Sequence, residues 1–162
     1  MCGAAQNGHI EIVELCKKWG TSNLDKSMCN AASGGHIEIV KLCKEWGASK
    51  FNEAIRNAAL GGNVEIVKMC KEWGASDFNN TMRKAAEGGH VELVKLCKKW
   101  GAYDFDKTVL CAAFNGHCGI VKLCKKWGCV ILIQLYDGYL EVDAVQLLVC
   151  AKSGRRKPEK QM

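Results

Sequence analysis

A repeat of 27 residues is the feature that most limits what this chain can fold into. All five tryptophans keep that spacing, at Trp19, Trp46, Trp73, Trp100 and Trp127, and five of the eleven cysteines do so at Cys16, Cys43, Cys70, Cys97 and Cys124. Glycine followed by histidine recurs at the same interval, with Asn63 replacing histidine in one copy. A fixed period of this length indicates a protein built from stacked supersecondary units.

The second half of each repeat is predicted to be a helix that ends at a glycine. Its apolar residues recur at helical spacing and form one broad face. In one copy they are Val64, Val67, Met69, Cys70 and Trp73, followed by Gly74. Such helices are predicted near residues 9–19, 36–46, 63–73, 90–100 and 117–127. The cysteines occupy a buried aliphatic position in this pattern, which indicates inert thiols.

The first half of each repeat predicts a shorter helix. One copy starts at a capping Asp77 and ends at Gly88 and Gly89, which turn the chain. Residues at equivalent positions of successive repeats form a column. Two apolar columns are assigned to the core: Leu24, Phe51, Phe78 and Phe105, then Met28, Ile55, Met82 and Val109. Because one hairpin cannot bury its apolar stripe alone, the fold class is predicted to be all-α, a solenoid of stacked helical hairpins.

Composition agrees with a globular protein, because 48% of the 162 residues are hydrophobic and 25% are charged. The longest apolar stretch, residues 130–135, is far below the roughly 18 residues of a membrane span. The first residues do not resemble a secretory signal. We therefore expect a cytoplasmic protein with reduced thiols, no membrane span and a monomeric state.

The residues from Ala31 to Leu42 and from Ala85 to Leu96 resemble the helical core of an ankyrin repeat, with the pattern Ala-Ala-x-x-Gly-His-x-Glu-x-Val-Lys-Leu. The resemblance covers residues 1–128. An ankyrin unit has about 33 residues and opens with Thr-Pro-Leu-His, whereas this unit is shorter and has no Thr-Pro, so clear β-hairpin fingers are not expected. The whole unit is similar to ankyrin-type repeats multiplied in giant DNA viruses of amoebae. That similarity would place a viral protein in the host cell cytoplasm.

Three columns of the first helix change chemistry from copy to copy. They are Lys26, Glu53, Asn80 and Lys107; Cys29, Arg56, Arg83 and Leu110; and Ser33, Leu60, Glu87 and Phe114. Their i, i+3, i+7 spacing puts them on one face, opposite the core stripe. In the ankyrin architecture first helices line the concave surface, so the resemblance makes this variable face the expected binding site for a protein partner. Exposed positions that are not under selection for binding would also vary between copies. The apolar residues Leu60, Leu110 and Phe114, which are expected to be exposed, favour a binding surface instead.

No group of residues predicts catalysis, a cofactor or a metal site. His9 and Cys16, like their counterparts in three other repeats, are two helical turns apart, about 10 Å, too far to share one tetrahedral ion. The histidine is instead expected to brace the backbone at the ankyrin-type turn. No Cys-x-x-Cys and no phosphate-binding loop occurs. The chain is therefore not expected to be an enzyme.

Aligned lysines leave a second function open, the binding of nucleic acid or an anionic membrane surface. The columns are Lys41, Lys68, Lys95 and Lys122, then Lys17, Lys44, Lys71, Lys98 and Lys125. Glutamates three or four residues away are expected to pair with most of these charges, and no aromatic residues are expected among them. Nucleic acid is therefore a less favoured partner than protein. A third reading is a decayed gene copy with no selected partner.

Both ends of the chain depart from the repeat. Met1 aligns with Met28, so the first unit is expected to be truncated. Residues 129–162 match no repeat as written, although reading the codons one nucleotide out of phase from Val130 can restore residues of the repeat. A frameshifted unit and an unrelated cap are the two explanations. We expect one helix near residues 140–152 and a disordered end.

Overall fold

The computed structural model describes residues 1–20 and 23–129, and this part of the chain is all-helical. Ten helices alternate between the two halves of the repeat, and no strand occurs among these residues. The helices of the first half are α1 (Cys2–Gln6), α3 (Leu24–Gly34), α5 (Phe51–Leu60), α7 (Phe78–Glu87) and α9 (Phe105–Phe114). Those of the second half are α2 (Ile10–Lys18), α4 (Ile37–Glu45), α6 (Val64–Glu72), α8 (Val91–Lys99) and α10 (Cys118–Lys126). The predicted all-α repeat is confirmed, and each second helix lies within its predicted span.

Both ends of the hairpin are closed by glycines with positive φ. After α6 the amide of Gly74, at φ 100°, bonds the Lys71 carbonyl, and the amide of Ala75 bonds the Cys70 carbonyl at 2.9 Å. After α7 the amides of Gly89 and His90 bond carbonyls of the last turn in the same way. These bonds satisfy carbonyls that the helix itself leaves unpaired. The glycines that recur in each repeat therefore determine where its helices end.

The hairpins pack sequentially along the chain. The first helices α1, α3, α5, α7 and α9 each contact the next, and each of α3, α5, α7 and α9 also contacts the second helix of its own hairpin. Ala58 and Ala59 of α5, and Ala85 and Ala86 of α7, are completely buried, which permits the close approach of neighbouring helices. A continuous core thus runs through all the hairpins rather than within any single one.

The core differs from the predicted one in two ways. Met28, Ile55 and Met82 are fully buried as expected. The other column assigned to the core, which includes Phe51, is only half-buried, and each of its phenylalanines packs against the tryptophan of its own hairpin. In α6 the largest fully buried side chain is Ile66, which is absent from the predicted face, whereas Met69 is half-buried. A face assigned from spacing alone was therefore rotated slightly from the true one.

A histidine or asparagine ties each hairpin to the preceding one. His36 Nε2 lies 2.9 Å from the Gln6 carbonyl, His90 Nε2 lies 3.0 Å from that of Leu60, and His117 Nε2 lies 3.0 Å from that of Glu87. Asn63 donates to the Ala32 and Ser33 carbonyls at 2.8 and 3.1 Å. The expectation that the histidine braces the backbone is confirmed. Gly88 is needed beside this contact, because a Cβ there would collide with the Leu60 carbonyl oxygen.

A second set of bonds links the opposite ends of the hairpins. The second residue of a first helix accepts two amides from the link to the next hairpin. Asp25 Oδ1 accepts those of Ser49 and Lys50 at 2.8 and 3.1 Å, and Asn52 and Asn79 repeat the arrangement. Each hairpin is thus fixed to its neighbour at both ends of the first helix.

Residues 130–162 and the link residues 21–22 are outside the described part of the chain. The predicted helix near 140–152, the disordered end and the frameshifted unit all fall there and stay predictions. Within the described residues, no helix combines the length and the apolar character needed to cross a bilayer.

Candidate partner-binding site

The structure brings the variable residues of the first helices onto a surface that runs across α3, α5, α7 and α9. Lys26, Glu53, Lys107, Leu110 and Phe114 are exposed, and Ser33, Arg56, Leu60, Asn80, Arg83 and Glu87 are half-buried. Leu110 and Phe114 are 51% and 59% exposed, so two large apolar side chains do face solvent at the α9 end. Leu60 was expected to be exposed, but it is half-buried where its carbonyl meets His90.

Cys29 is the one member of the predicted set that does not belong to the surface, because it is 5% exposed. Its thiol lies near Glu53 and Asn57 of α5, and burial is the main reason why its pKa rises to about 11. The same column carries arginine in α5 and α7. A short side chain at this position is covered by the next helix, whereas a guanidinium on a long stem reaches past it to solvent.

A groove of about 360 Å³ opens in the middle of the variable face. Four of its lining residues were predicted from the sequence, namely Arg56 of α5 and Asn80, Arg83 and Glu87 of α7. Two were not, Lys84 of α7 and Cys111 of α9. The missed residues form a fourth variable column, Asn30, Asn57, Lys84 and Cys111, which comparison of the repeats with one another could have found.

Charges inside the groove are partly paired. Arg56 Nη1 lies 2.8 Å from Asp77 Oδ2, and Asn80 donates to both carboxylate oxygens of Asp77 at 2.8 Å. Burial tends to raise the pKa of Asp77, but the hydrogen bonds from Asn80 and Arg56 outweigh it and hold the pKa below its ordinary value. Lys84 Nζ lies 2.7 Å from Glu87 Oε2. Within the described residues Arg83 has no carboxylate oxygen within 4 Å, so it is the one groove cation left without an acidic partner.

The lysine columns of the second helices are not neutralised as expected. In the described part of the chain, none of the pairs Glu38 and Lys41, Glu65 and Lys68, or Glu92 and Lys95 forms an ion pair within 4 Å. The expectation that glutamates three residues away pair with these lysines is wrong, because long exposed side chains gain little by giving up their hydration and freedom.

The other lysine column has aromatic partners, which the sequence analysis did not expect. Lys44 Nζ lies 4.3 Å from the ring centre of Trp73, and Lys98 Nζ lies 4.1 Å from that of Trp127. Lys17 and Lys71 are placed in the same way over Trp46 and Trp100, at 5.9 and 5.3 Å. Each lysine thus binds the tryptophan of the following hairpin through a cation–π contact.

The thiols of the repeat position are buried in α4, α6, α8 and α10, but Cys16 of α2 is half-buried. No hairpin precedes α2 in the described residues to cover it, so the expectation of burial was wrong there. Burial raises the pKa of Cys70 and of Cys97 to about 12, which keeps these thiols protonated and weakly nucleophilic. Residues 1–20 and 23–129 contain no group of three side chains that could hold a metal ion.

No protein-family model matches the sequence, and no curated protein is significantly similar to it. The class that the fold itself defines is an all-α helical repeat protein.

Proposed function

We propose that the chain is an ankyrin-like solenoid that binds a partner protein through its variable first-helix face. The observation that carries this proposal is the groove on that face, where Arg56, Asn80, Arg83 and Glu87 come together from two hairpins. The exposed Leu110 and Phe114 lie on the next first helix. A central apolar and arginine-rich patch is the composition typical of protein interfaces.

The framework of the repeat is separate from this surface, which favours recognition over a purely structural role. Histidine, glycine and alanine positions that hold the hairpins together recur in nearly every copy, whereas the face changes at each hairpin. Stacked repeats of this kind carry extended binding surfaces whose specificity lies in the variable positions.

Site-specific photocrosslinking tests the proposal. A photoreactive amino acid at Leu110 should capture a partner in cell extract, and the same group at Lys68, on the second-helix surface, should not. The captured protein, once identified by mass spectrometry and purified, should bind the native chain at least about tenfold more tightly than an Arg83→Ala, Leu110→Ser variant. Equal capture from both positions, or equal affinity for both chains, would refute it.

Binding of an anionic polymer is a second candidate, favoured by Lys41, Lys68 and Lys95, which form no ion pair within the described residues, and by the tryptophans beside the other lysine column. Lys41, Lys44 and Trp73 border a shallow depression on the second-helix surface, which the carboxylate of Glu45 also lines. If this surface binds nucleic acid, affinity should fall steeply with salt, and replacing Lys41, Lys68, Lys95 and Lys122 with glutamine should reduce the salt dependence. Weak binding to DNA and RNA that is unchanged by these substitutions would exclude this candidate.

A further inference from the structure

We propose that the groove selects an acidic side chain of the partner, which Arg83 binds, together with an apolar side chain that packs on Leu110. This inference rests on the proposed protein-binding function and specifies the chemistry of the partner segment.

The charge balance of the groove points to a single carboxylate. Three cations, Arg56, Arg83 and Lys84, face this region, and Asp77 and Glu87 pair with two of them. One positive charge remains on Arg83. A half-buried guanidinium binds a carboxylate through two parallel hydrogen bonds, which gives a stronger and more directional contact than a lysine would.

Cys111 does not neutralise the positive charge of Arg83. It borders the groove from α9, and its pKa is raised mainly by burial, although Arg83 acts in the opposite direction. The thiol therefore stays protonated near neutral pH and does not compete as an anion for the guanidinium. Arg83 is left available to an acid from outside the chain.

The order of the repeats defines the spacing of the partner residues. Arg83 and Leu110 occupy the same position in successive first helices, α7 and α9, and Leu110 is 51% exposed. Packed helices lie about 8 to 10 Å apart. An extended peptide advances roughly 3.3 Å per residue, so it crosses this distance in about three residues. Successive side chains of an extended peptide point to opposite faces, so both contacts need an even separation. The segment that fits has Asp or Glu two or four positions from a large apolar residue.

Selection from a randomised 12-residue peptide display library tests the proposal. Peptides selected on the full chain should carry an acidic residue two or four positions from Leu, Ile, Phe or Met. The tightest of them, made synthetically, should lose about tenfold or more in affinity for Arg83→Gln. The same peptide should bind Lys95→Gln, a matched loss of one charge on the other surface, as well as it binds the native chain.

Charge reversal gives a stricter check. A second selection on Arg83→Glu should replace the acidic residue with Lys or Arg and keep the apolar one, and circular dichroism should show unchanged helicity. Peptides that lose affinity for Leu110→Ser but show no acidic preference would overturn the inference and leave the proposed binding face intact. Peptides that respond to neither Arg83 nor Leu110 substitutions would overturn both.

Discussion

His90 Nε2 lies 3.0 Å from the main-chain carbonyl of Leu60, thirty residues earlier in the chain. The bond joins the turn of one hairpin to the last turn of the preceding first helix. It satisfies a carbonyl that α5 cannot pair within itself. Hairpins therefore stay in register through a specific polar contact as well as through apolar packing.

Removing this contact should lower the free energy of unfolding, and a different substitution at the same position should restore it. His90→Ala should reduce the free energy of unfolding by about 1 to 2 kcal/mol, because it leaves a half-buried carbonyl without its donor. His90→Asn should restore most of that loss, since Asn63 makes the equivalent bonds to Ala32 and Ser33. Urea denaturation followed by circular dichroism compares the three chains. Equal stability of His90→Ala and the native chain would show that the contact contributes nothing.

Helix α5 should be stabilised by a better N-cap. Its capping residue is Lys50, which makes no side-chain cap bond, whereas Asn23, Asp77 and Asp104 cap the equivalent helices through their side chains. Lys50→Asn should raise the free energy of unfolding by about 1 kcal/mol. Asparagine is preferred to aspartate because Asp25 accepts the Lys50 amide, and a second carboxylate there would be repelled. Lys50→Gln, which removes the charge without supplying a cap, is the control and should give little gain.

Asp77 should make stability depend on pH in the acid range. Its pKa in the folded chain lies below the ordinary value of 3.8, so its contribution is fully present above that pH. The contribution is lost as the pH falls through the lower folded pKa, when the carboxylate is protonated. Asp77→Asn, which can still cap α7, should therefore lose less stability than the native chain on acidification. Parallel pH profiles of the two unfolding free energies would contradict this assignment.

Cysteine labelling should separate the thiols by burial. Cys29, Cys43, Cys70, Cys97 and Cys124 should react slowly with iodoacetamide in the native state, because they are buried and burial raises the pKa of each thiol. Cys118, which is only half-buried, should react faster. Peptide mapping by mass spectrometry gives each rate, with labelling in 8 M urea, about the concentration needed for full unfolding, as the reference state. Native rates equal to the unfolded rates at Cys70 and Cys97 would show that the hairpins are not packed as described.

The repeat alone was enough to predict the helices and most of the groove. Spacing placed Arg56, Asn80, Arg83 and Glu87 on one face, and the structure brings these four together. It also placed Cys29 there, which is buried, and it overlooked Lys84 and Cys111. Helical periodicity fixes the direction of a side chain to within part of a turn, but burial depends on side-chain length and on what the neighbouring hairpin covers.

Sequence by itself determined the period, the two helices of each hairpin and the glycines that end them, because these features depend on residues within a few positions of one another. Only the tertiary structure decided which polar and charged groups meet between hairpins, as Arg56 and Asp77 do. Lys44 lies over Trp73, 29 residues away, rather than pairing with a glutamate on its own helix, and Asp25 accepts amides from residues 24 and 25 positions later. Such contacts exist only once two hairpins are packed, since the partners meet across the interface between them. The unpaired charge of Arg83, on which the proposed recognition rests, is a consequence of that packing as well.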